Sequence, residues 1–291
     1  MVVGEHDMQF WQICLVLTII LNVVFTQFYK KATYKSKSDG ALTVLLQLTC
    51  ATTLMLTIPF FKIQFPDDIR IWMFYGLAII FYTINNRIQT TVRRNLEASV
   101  SSIIGQFFNV FLIAWGIIFF KEQIVFLKIL GALIIIFCNA MLFYEKGKFK
   151  FTKYVWLGVI QNLCFSIALS FDIGISENFN LGMYIGLAFI IPAVLIKTFE
   201  RIKIKEIKEE FVNGERKAII VTGVSWALLA IVNLLAYTTG GEITTVTPLA
   251  ATAVLLNVIV SYMFLHEKEH LAKKIISAIG IIISIILIVI A

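Results

Sequence analysis

Ten apolar stretches, each close to the roughly 20 residues that cross a hydrocarbon layer as a helix, constrain this chain more than any other feature. They run over residues 11–29, 41–61, 71–91, 99–120, 124–144, 154–173, 180–197, 218–238, 244–265 and 272–291. Lipid offers no hydrogen bonds to a backbone, so apolar runs of this length must close their own bonds as helices. With 59% hydrophobic residues, 15% charged residues and a mean hydropathy of +0.88, a soluble globular domain is excluded. The expected fold is an all-α integral membrane protein. The first stretch has neither a basic lead nor a small-residue cleavage site, so it is expected to be a retained helix. The longest connection, 198–217, is charged and suits a short surface helix.

The plan repeats. Residues 97–144 read as an acidic residue, an apolar run, a charged break (Lys121, Glu122, Gln123) and a second apolar run. A shift of 145 positions places Glu97 on Glu242 and Glu122 on Glu267, with the same plan after each. Identity between the copies is low, but two copies of one hydropathy plan point to a protein made of two halves. Ten spans then divide five and five. An odd number per half gives the halves opposite orientations, so ten transmembrane helices are expected as two inverted five-helix repeats, 1–149 and 150–291.

The charges bear on the count. Numbering the connections alternately sends 21 Lys and Arg residues to one side and only Lys62, Arg70, Lys121 and Lys128 to the other. Basic residues collect on the cytoplasmic side, which places both termini outside. The acidic Glu5 and Asp7 before the first span, and Lys30 and Lys31 after it, agree. The net charge of +7 therefore reads as membrane orientation rather than nucleic-acid binding. The four cysteines lie inside apolar stretches without CxxC spacing and read as small hydrophobic side chains.

Two pairs of segments resemble a known family. FFKEQIVFLKILGALIII and FLHEKEHLAKKIISAIGIII, with RRNLEASVSSI and TTGGEITTVTPLA as turns into the fourth and ninth spans, are similar to the EamA-type domains of the drug/metabolite transporter superfamily. Pro248 stands where that family commonly has a proline, and Ile103 departs from it in the first half. Ser277 or Gly280 stands in for the glycine that Gly131 supplies. The resemblance covers nearly the whole chain. It implies a transporter, often an exporter of small metabolites such as amino acids, with a central cavity among spans one, three, four, six, eight and nine. Small four-span relatives carry a Glu in span one. Here Asn22 is the nearest mid-span polar group, so a carboxylate proton switch at that position is excluded.

Polar side chains inside a bilayer are costly and tend to face the bundle interior or a wet cavity. Span one has Thr18, Asn22 and Thr26, and span six has Asn162, Ser166 and Ser170, both at i, i+4, i+8. Span three has Tyr82, Asn85, Asn86 and Gln89. Span eight has Trp226, Asn233 and Tyr237. Span four has Ser102, Gln106 and Asn109, and span nine Thr247 and Thr252. Spans five, seven and ten are nearly all aliphatic and read as an outer ring facing lipid.

The expected substrate-binding set is Asn22, Tyr82, Asn85, Asn86, Gln89, Gln106, Asn109, Asn162, Ser166, Trp226, Asn233 and Tyr237. Interhelical hydrogen bonding is the competing role for each. Arg87 is expected to snorkel to the interface. Glu122 and Glu267 are expected to serve the dipole of the helix that follows each. Pro192 and Pro248 are expected flex points.

His266 to His270 matches the letters H-E-x-x-H, which in a zinc hydrolase puts two histidines on one helical face. Here the letters fall between two spans. No catalytic residue, metal site or cofactor is expected. The expected partners are a small-molecule substrate and the lipid bilayer of a plasma or inner membrane, without nucleic acid, and a homodimer is left open. A channel, which would need a filter loop or charged ring, and a scaffold without transport are the alternatives.

Overall fold

The computed structural model describes residues 10–62, 64–118, 125–145, 148–149, 151–172, 175, 178–238 and 243–291. The elements are α1 (Phe10–Ala32), α2 (Asp39–Met55), α3 (Ile69–Asn95), α4 (Ala98–Ile104), α5 (Phe107–Ile118), α6 (Phe126–Leu142), α7 (Lys153–Asp172), α8 (Leu181–Phe199), α9 (Ile204–Asn213), α10 (Arg216–Thr238), α11 (Ile243–Phe264) and α12 (Leu271–Val289). One 3-10 turn, Ile58–Phe60, follows α2. A two-residue ladder pairs Tyr144 with Phe149 and Glu145 with Lys148. Among the described residues, seven helices are long and apolar enough to cross a membrane. Each of the ten apolar stretches contains helix among its described residues, and the expected surface helix is α9. All four cysteines are free and buried.

The helices pack in pairs, and direction follows from which residues meet. Leu15 shares a cluster with Ala236, and Phe25 meets Trp226, so α1 and α10 run antiparallel. Tyr82 meets Phe165, and Gly158 lies against Val92, so α3 and α7 are antiparallel as well. The α2–α8 and α6–α12 seams are also antiparallel. Met55 packs on Gly186 while Ala41 and Val44 share a cluster with Ala193 and Ile196. Gly131 faces Ser284 and Ile288, while Gly280 faces Cys138.

Exchanging α1 with α7, α2 with α8, α3 with α10, α4–α5 with α11 and α6 with α12 returns the same principal neighbours. Thus α1·α10 maps on α7·α3, α1·α11 on α7·α5, and the α2–α8 and α6–α12 seams map on themselves.

Two expectations are corrected. The aliphatic helices α6, α8 and α12 are not simply an outer ring. Leu133, Phe137, Ile283 and Ile286 are exposed, but the opposite faces of α6 and α12 form a buried seam with Ile135, Cys138, Ile281 and Ile285. A Cβ on Gly131 would come within 2.5 Å of Ile288 and 2.7 Å of the Ser284 carbonyl, so a glycine is what lets the two backbones approach. The fourth stretch is also not one helix. It breaks at Gly105–Gln106, where Gln106, Phe108 and Asn109 donate three residues back instead of four.

Candidate functional site

The break in the fourth stretch organises one polar centre. A backbone interruption at membrane depth is tolerated where protein groups take up the freed bonds. Asn162 of α7 does this: its Nδ2 donates to the Gly158 carbonyl at 2.7 Å and to the Ile104 carbonyl at 3.4 Å. Asn109 donates to Gln106 Oε1 at 3.0 Å, and Gln106 turns back to the Ser102 carbonyl. Trp115 Nε1 donates to Ser166 Oγ at 2.9 Å, which itself donates to the Leu163 carbonyl. On α3, the buried Asn85 amide lies 2.8 Å from the Asn86 amide and 3.3 Å from the Gln161 carbonyl, and it satisfies both with its nitrogen toward Gln161. Tyr82 and Phe108 both meet the Phe165 ring, at 6.2 and 4.9 Å between centroids.

The second centre lies between α1, α10 and α11, which the exchange of elements given above maps onto the first. Asn257 Nδ2 donates to Asn22 Oδ1 at 2.9 Å. Gln27 Nε2 donates to Ser261 Oγ at 2.9 Å and to the Asn257 side chain and carbonyl at 3.3 Å. Trp226 stacks in a group with Phe25, Tyr29 and Phe189, at centroid distances of 5.1, 5.9 and 4.8 Å. Tyr29 then ties the centre to α3 through Thr90, at 2.8 Å between hydroxyls.

Ten of the twelve expected residues lie in these two centres or on the α3 stripe between them. Asn233 is exposed on α10, and the Tyr237 side chain lies outside the described residues. Gln27, Asn257, Ser261 and Trp115 were missed. Asn257 and Ser261 carried the same i, i+4 signal as the stripes that were read. Gln27 stands one position off the Asn22–Thr26 stripe, and Trp115 lies among apolar neighbours, where no polar spacing marks it. Two cavities lie at the ends of the bundle. One of about 70 Å³ sits between Lys35–Ser38 and α9, and one of about 380 Å³ is lined by Gln64–Asp68 and Asn178.

One end of the bundle is held by charged contacts, most of them between residues 1–149 and residues 150–291. Glu267 is buried, and its carboxylate accepts from Ala98 N at 2.6 Å, from Ser99 N at 3.1 Å and from the Ser99 hydroxyl. It caps α4 and not the helix that follows it, which corrects the sequence expectation; α12 starts after His270 without a side-chain cap. Glu122 and Glu242 lie outside the described residues. Lys274, almost wholly buried, pairs with Glu97. Burial raises the Glu97 carboxyl above its usual range, and Lys274 offsets that only in part.

Arg87 is not a free snorkelling side chain: it pairs with Glu200 and donates to Thr91 at 2.9 Å. Arg94 pairs with Asp39 at 2.8 Å, and Glu210 accepts from Lys37 N and Ser38 N. At the opposite end the ties are neutral, with Asn180 Nδ2 donating to the Ile58, Phe61 and Lys62 carbonyls. His266 and His270 have φ of 57° and 51° in a turn, so they do not share the helical face that H-E-x-x-H chemistry requires.

No family model matches the chain, and no curated protein matches it. Twenty-six chains of solved structures match. A crystal structure among them has a TM-score of 0.61 at 10% identity, over 94% of this chain and 95% of its own. That likeness shows the fold alone.

Proposed function

We propose that this chain is a membrane transporter, an exporter of small organic metabolites such as amino acids, working by alternating access. In this reading all ten helical stretches cross a plasma or inner membrane as two inverted halves, 1–149 and 150–291, with both termini outside. The observation that carries it is the placement of the two polar centres. They occupy positions that the exchange of halves interconverts, and one of them sits on a broken helix. Transporters of inverted-repeat design bind substrate at the repeat interface, on discontinuous helices, and expose it by rocking one half against the other.

Three further observations support the reading. Repeat-related helices α2 and α8, and α6 and α12, pack antiparallel, as inversion requires. The connections assigned to the basic side meet one another at one end of the bundle. The resemblance to EamA-type domains points the same way.

The test is ligand stabilisation of the purified protein in detergent, with amino acids, nucleosides, sugars and cationic drugs as the panel. A ligand that binds the folded state raises the melting temperature by mass action. The expected result is a stabilising solute class whose effect is lost in Asn86→Ala and Trp226→Ala while both variants stay folded. Stabilisation that survives both changes moves the site elsewhere, and no stabilisation at all favours a membrane scaffold.

A further inference from the structure

Tyr82, Asn86, Gln89 and Arg93 stand at i, i+4, i+7 and i+11, so the polar stripe of α3 ends in an arginine on the same face. The sequence placed Arg93 in a basic connection beyond the third span. The structure continues α3 to Asn95 and buries Arg93, leaving it 9% exposed. Its guanidinium lies over the rings of Phe25 and Tyr29 on α1, 5.2 and 5.4 Å from their centroids. Those rings belong to the aromatic group that holds Trp226.

Arg93 differs from its charged neighbours. Arg87 has Glu200, Arg94 has Asp39 and Lys274 has Glu97. Among the described residues Arg93 has no carboxylate partner, and its Nη1 is buried without any hydrogen-bond partner. The carboxylate oxygens of Glu267, the acidic group whose field reaches it, are already taken by Ala98 and Ser99. Gln89 Oε1, one turn earlier, is also buried and unpartnered. Aromatic faces can bed a guanidinium but leave its edge donors unsatisfied. An arginine does not discharge by losing its proton, and a buried charge without a partner is a costly arrangement to keep.

We propose that Arg93 is the anchor for the anionic group of the transported solute, which makes that solute an organic carboxylate. This rests on the transporter reading and names its substrate class. The planar fork of the guanidinium matches a carboxylate with two parallel hydrogen bonds. The Gln89 oxygen accepts a donor from the same ligand, and the Phe25–Tyr29–Trp226 rings offer a surface for its apolar body. The site is closed in this conformation, so the solute reaches it as the halves part.

The test compares matched probes on the purified full chain: phenylacetate against phenylacetamide, and butyrate against butyramide, read as shifts in melting temperature. The carboxylates stabilise and the amides do not. Arg93→Gln weakens phenylacetate at least about tenfold, the loss expected for a charge-assisted pair. Arg93→Lys keeps the charge without the fork and retains part of the effect. It carries the test should Arg93→Gln fail to fold. Arg87→Gln, which removes an arginine already paired with Glu200, leaves the preference for the carboxylates unchanged. Amides that stabilise as well as acids, carboxylates that stay bound in Arg93→Gln, or carboxylates that bind nowhere overturn the assignment. If other solutes still stabilise and depend on Asn86, only the Arg93 assignment falls. If no solute of any class does, the transporter reading falls with it.

Discussion

Glu267 caps a helix that begins at Ala98, in the other half of the chain: its Oε1 accepts the Ala98 amide at 2.6 Å. The first amides of a helix have no partner within the helix, and a buried carboxylate that accepts two of them answers that need with charge-assisted bonds. The contact makes the turn between α11 and α12 part of the entry to α4. The segment that leads into the broken helix is therefore fastened to a residue far later in the chain. Glu267→Ala is expected to lower stability by about 2–3 kcal/mol, the scale of hydrogen bonds to a charged group. Ser99→Ala is expected to cost about 1 kcal/mol. Thermal unfolding in detergent of both variants and of their double mutant measures the coupling. Additive losses would contradict a shared cap.

The α6–α12 seam depends on a missing side chain. Gly131→Ala puts a methyl 2.7 Å from the Ser284 carbonyl, a backbone atom that cannot turn away, and should cost about 1–3 kcal/mol by overpacking. Gly76 is the control, since a Cβ there meets nothing within 4 Å. Gly76→Ala should leave stability unchanged or raise it by up to about 1 kcal/mol through helix propensity. Melting temperatures in one detergent compare the two directly.

Lys274 and Glu97 form a pair with a buried cation and a half-buried carboxylate, in which the loss of one partner hurts more than the loss of both. Lys274→Met leaves a half-buried carboxylate alone and is expected to cost about 1–3 kcal/mol, less than for a fully buried charge because solvent reaches the carboxylate. Adding Glu97→Gln should restore much of that loss, which a double-mutant cycle reads.

The same carboxylate gives a pH dependence. Its pKa is raised in the folded protein, chiefly by burial, so folding favours the protonated form. The stability it contributes is complete below the usual carboxylate range and is lost as pH rises through the raised value. Unfolding followed across that window should show the slope in the wild type, its absence in Glu97→Gln, and a shift to higher pH in Lys274→Met.

Arg87 and Glu200 are each about one third exposed, and solvent screens their pairing. Glu200→Gln should change stability by less than about 1 kcal/mol and respond to salt. Set beside Lys274→Met, it separates a surface tie from a buried one at the same end of the molecule.

The helices were legible in the sequence because lipid leaves an apolar run of this length few other options, and the charge bias follows from the same physics. What escaped reading depends on partners far away in the chain. A glycine at position 105 is compatible with a continuous helix; the break holds because Asn162, 58 residues on, supplies a donor to the Ile104 carbonyl. Glu267 looked like a local dipole partner because its acceptor role is spent on Ser99, 168 residues before it. Arg93 sat beside Arg94 just past the expected end of a span. One extra turn of α3 moves it from the interface to the aromatic rings of α1. Asn22, Asn86 and Ser166 were singled out because their spacing is helical, and the structure places them in or beside the polar centres. Gln27 was missed because it is one residue out of phase with its stripe.

The central claim is that a small organic solute passes through this chain by way of the two polar centres. Flux into proteoliposomes tests it most directly, with the solute that best stabilises the purified protein supplied as a radiolabelled tracer against the same solute, unlabelled, inside. The account predicts uptake that saturates, speeds up with the internal solute, and is lost in Asn86→Ala and Trp226→Ala. Uptake no faster than into empty vesicles, or equal uptake in both variants, would contradict it.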